Sequence, residues 1–160
     1  MSDRNKLVID TNLLLLLVIG AVEEGRHIKS SKRLNKFAKK DYDSIREFMS
    51  GYEGICITQY IATEVSNLID LTGHARDLAY EIARLLFSQF EEVDSTIKRD
   101  THSPHFITYG ITDSSLVALA SRYSILTDDN RLLGPLFEAG QEYVTPFELL
   151  KKAARNLQGP

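Results

Sequence analysis

An Asp-Thr-Asn triplet interrupts the most apolar stretch of the chain, "KLVIDTNLLLLL" (Lys6–Leu17), after only three hydrophobic residues. A membrane-spanning helix needs about 20 consecutive apolar residues. Leu13–Val22 offers ten without a charge, the length of a signal-peptide core. Asp10 and Asn12 abut the run, however, and Asp3 dilutes the positive start such a peptide carries. The run therefore reads as protein core, and the chain as cytoplasmic with no membrane partner.

Three further runs share the character of Leu7–Ile9. They are Ile55–Thr58 in "GICITQ", Ser124–Thr127 in "YSILTDD" and a weaker one at Tyr143–Val144. Each is short, rich in Ile, Leu or Val, and continuous rather than alternating, as strands covered on both faces are. Between them apolar residues recur at helical spacing: Tyr42, Ile45 and Phe48 or Met49, then Ile61, Val65, Leu68 and Ile69, then Leu78, Ile82, Leu85 or Leu86 and Phe90. "DSSLVALASRY" and "PFELLKKAARNL" complete the helical set. Asp113 heads the first of these, and Thr145-Pro146 supplies cap and first-turn proline for the second. Alternation of strand and helix predicts a three-layer α/β fold, with a mostly parallel central sheet of four to five strands and helices on both faces.

The 160 residues are 43% hydrophobic and 26% charged, without repeats or a Gly/Ser/Pro-rich linker, which suits a single domain over residues 1–160. The lone cysteine, Cys56, stands in the apolar "GICIT" and reads as a small buried hydrophobe. That is consistent with a reducing compartment. Net charge is −3, which does not favour a polyanionic partner. The distribution is uneven: residues 26–40 hold seven Lys or Arg, one His and no acid.

Functional groups in parallel α/β sheets gather beyond the carboxyl ends of the strands. Asp10 directly follows "LVI" and Asp128-Asp129 follow "SILT", so two strands each end by delivering carboxylate to one rim. The interruption in the opening stretch is then the edge of the hydrophobic layer. Glu64 lies within the apolar stripe of the helix after "ICIT". Asp113 opens the helix "DSSLVALA", where the positive end of the helix dipole favours a carboxylate by a few tenths to about 1 kcal/mol. Clustered carboxylates repel, and in a partly dry site one pKa rises unless a cation neutralises the group. Oxygen-only ligands select Mg²⁺ or Mn²⁺, which polarise a phosphoryl oxygen and make hydroxide available near neutral pH. The chemistry implied is metal-assisted phosphodiester hydrolysis at Asp10, Glu64, Asp113 and Asp129.

In their order along the chain these segments resemble the motifs of PIN-domain nucleases. "LVIDTNLLL" resembles the family's opening strand followed by Asp-Thr-Asn, and "ITQYIATEVSNLI" its second motif, with Glu64 as the acid. "YGITDSSLVALA" is similar to the third, with Asp113, and "SILTDDNRL" resembles the fourth, a strand then Thr-x-Asp. The resemblance spans residues 7 to about 147. It implies a PIN-like fold and a Mg²⁺- or Mn²⁺-dependent ribonuclease whose catalytic and metal-binding acids are Asp10, Glu64, Asp113 and Asp129. Asn12 orients its neighbours, the Thr127 hydroxyl supports the site, and Thr-x-Asp spacing selects Asp129, leaving Asp128 as support or surface. It also admits the toxin of a toxin–antitoxin pair, with an antitoxin protein and a second copy of the chain as partners. Residues 23–40 lengthen the connection between the first two motifs beyond that of compact PIN toxins. In an RNA enzyme this basic segment reads either as a solvated face or as a grip on the RNA backbone through Lys29, Lys32, Arg33 and Lys36.

Other readings are weaker. A phosphatase of the haloacid dehalogenase type needs a second acid two residues after the first, where Asn12 stands. No Gly-rich turn follows Ile9 for a dinucleotide, and no Walker-type loop exists. His102 and His105 form a His-x-x-His pair without a further Cys or His at zinc-ligand spacing, and loop hydrogen bonding suits them better. Phe106 and Tyr109 read as core before base-stacking surfaces. The alternative of a different class is a silent or regulated PIN module that binds a protein or RNA partner.

Overall fold

The computed structural model describes residues 2–157. Strand β1 (Asp3–Ile9) leads into helix α1 (Thr11–Gly20) with Asp10 as the one residue between them. The leucine run is this helix. Leu13 through Gly20 are all buried, which explains why no amphipathic period marks the segment: a helix apolar on every side is enclosed on every side. It packs against α2 (Lys39–Met49), α3 (Gln59–Leu68) and α4 (Gly73–Gln89). Gly20 permits the α2 contact, since a Cβ there would strike the Tyr42 ring. Among the described residues, no helix is long and apolar enough to cross a membrane.

The remaining elements are β2 (Gly54–Ile57), β3 (Glu91–Glu92), α5 (Ile97–Thr101), α6 (Phe106–Leu119), β4 (Tyr123–Thr127), α7 (Leu133–Gly140), β5 (Val144–Pro146) and α8 (Phe147–Leu157). Five strands form one all-parallel sheet in the order β3-β2-β1-β4-β5, flanked by helices. The α/β class and central parallel sheet expected from the sequence are observed, with five strands. The chain moves outward from β1 through β2 to β3, then returns to lay β4 on the other side of β1. Connections leave β1 and β4 in opposite directions, and such a reversal opens a crevice at the carboxyl ends of the two strands. Ile9 pairs with Leu126, and the Asp10 N–H donates to the Leu126 carbonyl at 3.1 Å.

Three details depart from the sequence reading. Two exposed acids, Glu91 and Glu92, form an edge strand by backbone pairing with β2, and Glu91 also accepts the Lys6 ammonium at 2.7 Å. Pro146 ends β5 rather than opening a helix, a place where its missing N–H costs nothing because β5 is also an edge. Asp113 lies inside α6 rather than at its head, although a break at Gly110 (φ 82°, ψ 176°) restarts the helix three residues before it. Cys56 is 2% exposed, and burial pushes its thiol up to about 11, so it packs as a hydrophobe.

Between α1 and α2 the chain runs through two 3₁₀ turns, Val22–Gly25 and Ile28–Ser30. Glu23, Glu24 and Gly25 take left-handed backbone in succession (φ 47°, 60° and 82°), reversing the chain as it leaves α1. Ile28, Ser31, Leu34 and Phe37 are then buried at every third position, while Arg26, Lys29, Lys32, Arg33 and Lys36 stay exposed. The basic segment is thus a docked strap, apolar beneath and cationic above.

Candidate functional site at the carboxyl edge of the sheet

Asp10 stands at the β1–β4 reversal and caps α1. One carboxylate oxygen accepts the Leu13 N–H at 3.3 Å; the other accepts the Thr127 hydroxyl and the Asp128 N–H, the latter at 3.0 Å. The residue is only 7% exposed. Burial pushes its carboxyl up to about 7, the Asp128 charge adds to the rise, and the three hydrogen bonds oppose it. A buried acid held by three donors at a strand end is a fixed feature of the fold.

Thr127, wholly buried at the end of β4, is the junction of the site. Its hydroxyl donates to Asp10 and accepts the Asp129 N–H at 3.0 Å. The Asp129 carboxylate in turn accepts the Arg131 N–H at 3.0 Å and the Arg131 guanidinium at 3.1 Å. Asp128 points elsewhere and pairs with Lys36 of the strap at 3.3 Å.

Asp113 reaches this edge from α6. Partial burial first, then the charges of Asp129 and Glu64, raise its carboxyl to about 6, against the opposing effect of Arg131. Glu64, from α3, accepts the Thr112 hydroxyl. Hydrogen bonds therefore join Asp10, Thr127, Asp128 and Asp129, and shared charge joins Asp113 to Asp129 and Glu64. Asn12, two residues past Asp10, accepts the Arg33 guanidinium at 2.8 Å.

Of the four cations singled out in the basic segment, Arg33 and Lys36 touch this edge. Lys29 bonds the Asn35 carbonyl at 3.0 Å, and Lys32 is exposed beside Asp70. His102 faces the Lys98 carbonyl at 2.5 Å, and the His105 ring lies 6.2 Å from that of Tyr109. Tyr109 is partly buried against the core and donates to the Arg131 carbonyl at 3.4 Å. The sequence reading did not single out Thr112 or Arg131. Arg131 carried a signal in its place two residues after Asp129; Thr112 carried none, because only the fold brings it to Glu64.

All donors at this edge are oxygens, the set that suits a hard divalent ion. Asp113 is only partly buried, and Arg131 alone opposes the rise of its carboxyl, with no hydrogen bond among the causes. Among the described residues no group of three or more His, Cys, Asp or Glu side chains is placed to hold a metal ion together. An ion here would take one or two carboxylates and keep most of its waters, which is how Mg²⁺ commonly binds. The donor set fits such an ion.

Compared with known proteins, the chain matches no family model and no curated protein sequence.

Proposed function

We propose that this protein is a divalent-metal-dependent endoribonuclease of PIN-like type, hydrolysing RNA phosphodiester bonds at the carboxyl edge of its sheet. One observation carries the reading: a single buried hydroxyl, Thr127, binds both Asp10 and the backbone of Asp129 where the strand order reverses. Asp113, from α6, lies in the field of both Asp129 and Glu64. In this reading the acidic set Asp10, Glu64, Asp113 and Asp129 would supply the one or two carboxylates that hold Mg²⁺ or Mn²⁺, with water filling the rest of its shell. Such an ion, when bound, would supply positive charge beside a phosphoryl oxygen and hydroxide near neutral pH.

The chain's own groups have defined work. Thr127 and the Asp128 N–H fix one oxygen of Asp10, Thr112 orients Glu64, and Asn12 ties the start of α1 to Arg33 of the strap. The Arg131 guanidinium holds the Asp129 carboxylate in place. Lys29, Lys32, Arg33 and Lys36 offset the repulsion between an acidic site and phosphate. A cytoplasmic setting, a toxin role restrained by an antitoxin protein, and a second copy of the chain as partner belong to the same proposal, on the strength of the motif resemblance.

The test is cleavage of a mixed RNA pool with Mn²⁺ or Mg²⁺, by wild type and by Asp10→Asn, with EDTA as control. Metal-dependent cleavage by wild type, lost in the variant, is the expected result. No cleavage, or equal cleavage by both proteins, removes the nuclease reading and leaves a module that binds RNA or protein.

A further inference from the structure

Beside the docked strap is a wide, open cleft of about 410 Å³ lined by Lys32, Arg33, Asn67, Leu68 and Asp70. Asn67 and Leu68 are three and four residues beyond Glu64, so they continue its face of α3 by one turn. Arg33 lines the cleft and also bonds Asn12 at the acidic edge. The cleft is therefore continuous with the candidate site through one side chain.

Its walls are held in place by design of the chain. The Asp70 carboxylate accepts the Ser31 hydroxyl at 3.2 Å and the Lys32 N–H at 2.9 Å, fixing the strap to the α3–α4 connection. Ser31 is buried and also accepts the Leu34 N–H at 3.3 Å. Asp70 is thereby turned to the strap backbone, while Lys32 and Arg33 remain exposed on the outer wall. One wall offers cations. The other offers an exposed carboxamide and a partly buried leucine, a donor–acceptor pair beside an apolar surface.

We infer that this cleft binds one unpaired nucleotide of a single-stranded RNA, flanking the bond at the acidic edge. Lys32 and Arg33 take its phosphates, Leu68 takes the base face and Asn67 the base edge. A base reaches such a wall only when it is splayed out of a helix, so the site selects single strands over duplex. The inference names the substrate for the nuclease reading above and rests on that reading for the position of the scissile bond.

The experiment measures binding in EDTA, where no cleavage occurs, by fluorescence anisotropy of a labelled single-stranded oligoribonucleotide. Lys32→Gln/Arg33→Gln is compared with Lys39→Gln/Lys40→Gln, the same charge change in the same basic run but off the cleft. The cleft variant is expected to lose about tenfold in affinity and about 1.4 in salt slope, at roughly 0.7 per lost phosphate contact. The control stays within about twofold. Asn67→Ala, on an exposed position, weakens binding about threefold and leaves the salt slope unchanged, since it removes a base contact and no phosphate contact, and duplex RNA competes poorly.

Equal loss in the two double variants, no change with Asn67→Ala, equal competition by duplex, or no binding by wild type each overturns the inference. A protein that binds in this pattern but never cleaves with metal keeps the cleft and loses the nuclease reading. One that cleaves while both doubles weaken equally does the reverse.

Discussion

The Thr127 hydroxyl donates to the Asp10 carboxylate across 117 positions of chain, and the same oxygen accepts the Asp129 N–H. Two strand ends are registered by one buried atom. Thr127→Val keeps the shape but leaves an acceptor and a donor short of partners, which costs about 1–3 kcal/mol. Urea unfolding of the Val and Ser variants checks this, with Ser retaining most of the wild-type stability. A Val variant as stable as wild type would deny the bond any structural weight.

Asp10 makes stability depend on pH in an unusual direction. Its folded-state pKa, about 7, lies above the ordinary 3.8. Between these values the folded protein holds a proton the unfolded chain has lost, so stability falls as pH rises from about 4 to 7 and the effect is absent below that window. The full window corresponds to at most about 4 kcal/mol. In EDTA, wild-type Tm minus that of Asp10→Asn is expected to decline from pH 4.5 to 7.5. Adding Mn²⁺ at pH 7.5 then raises Tm in wild type and not in the variant.

Asp128 and Asp129 separate on two readouts. The Asp128 charge is the second cause of the raised Asp10 carboxyl. Asp128→Asn removes it while keeping the backbone N–H bond, so the pH window of Asp10 closes at a lower pH. Asp129→Asn leaves that window where it is. For cleavage the order reverses: about tenfold is lost with Asp128→Asn, as for a supporting neighbour, and more than about a hundredfold with Asp129→Asn. Equal losses would mean that both acids contact the ion.

Gly110 holds a conformation that only glycine adopts easily, and nothing lies within 4 Å of where a Cβ would be. Gly110→Ala therefore costs backbone strain rather than a clash, about 1–3 kcal/mol. Relief comes by straightening α6, which carries Asp113 away from Asp129. Cleavage is expected to fall further than thermal stability does. Gly134→Ala, within α7 and equally open, is the control: it is neutral or stabilises by up to about 1 kcal/mol.

The sheet was legible where strands are enclosed, because "LVI", "ICI" and "SILT" are apolar without alternation. β3 was not: Glu91 and Glu92 pair through backbone groups that any residue possesses. Helix α1 escaped the helical period because period records a boundary with water, and Leu13–Gly20 has none. Asp10 and Asp129 could be placed at one rim because each follows, within two residues, an apolar run of strand length. The contacts of Lys36 with Asp128 and Arg33 with Asn12 could not, since they join residues 92 and 21 positions apart through a strap whose period of three follows neither helix nor strand. Asp113 was misplaced by three residues because the helical pattern does not show that the chain restarts at Gly110 rather than at the acid itself.

A helix surrounded on all sides has a consequence for evolvability. Asp10 rides on the keel of the domain, and the amides of Leu14 to Ile19 exchange with solvent only when the whole tertiary structure opens. That carboxylate can neither retreat nor adapt to a differently shaped guest. Adjustment falls to the outer face of the strap, Arg26, Lys29, Lys32, Arg33 and Lys36, whose side chains stay exposed and touch little of the interior. Among descendants of this chain, discrimination between targets will diverge there, while the start of the leucine helix stays as it is.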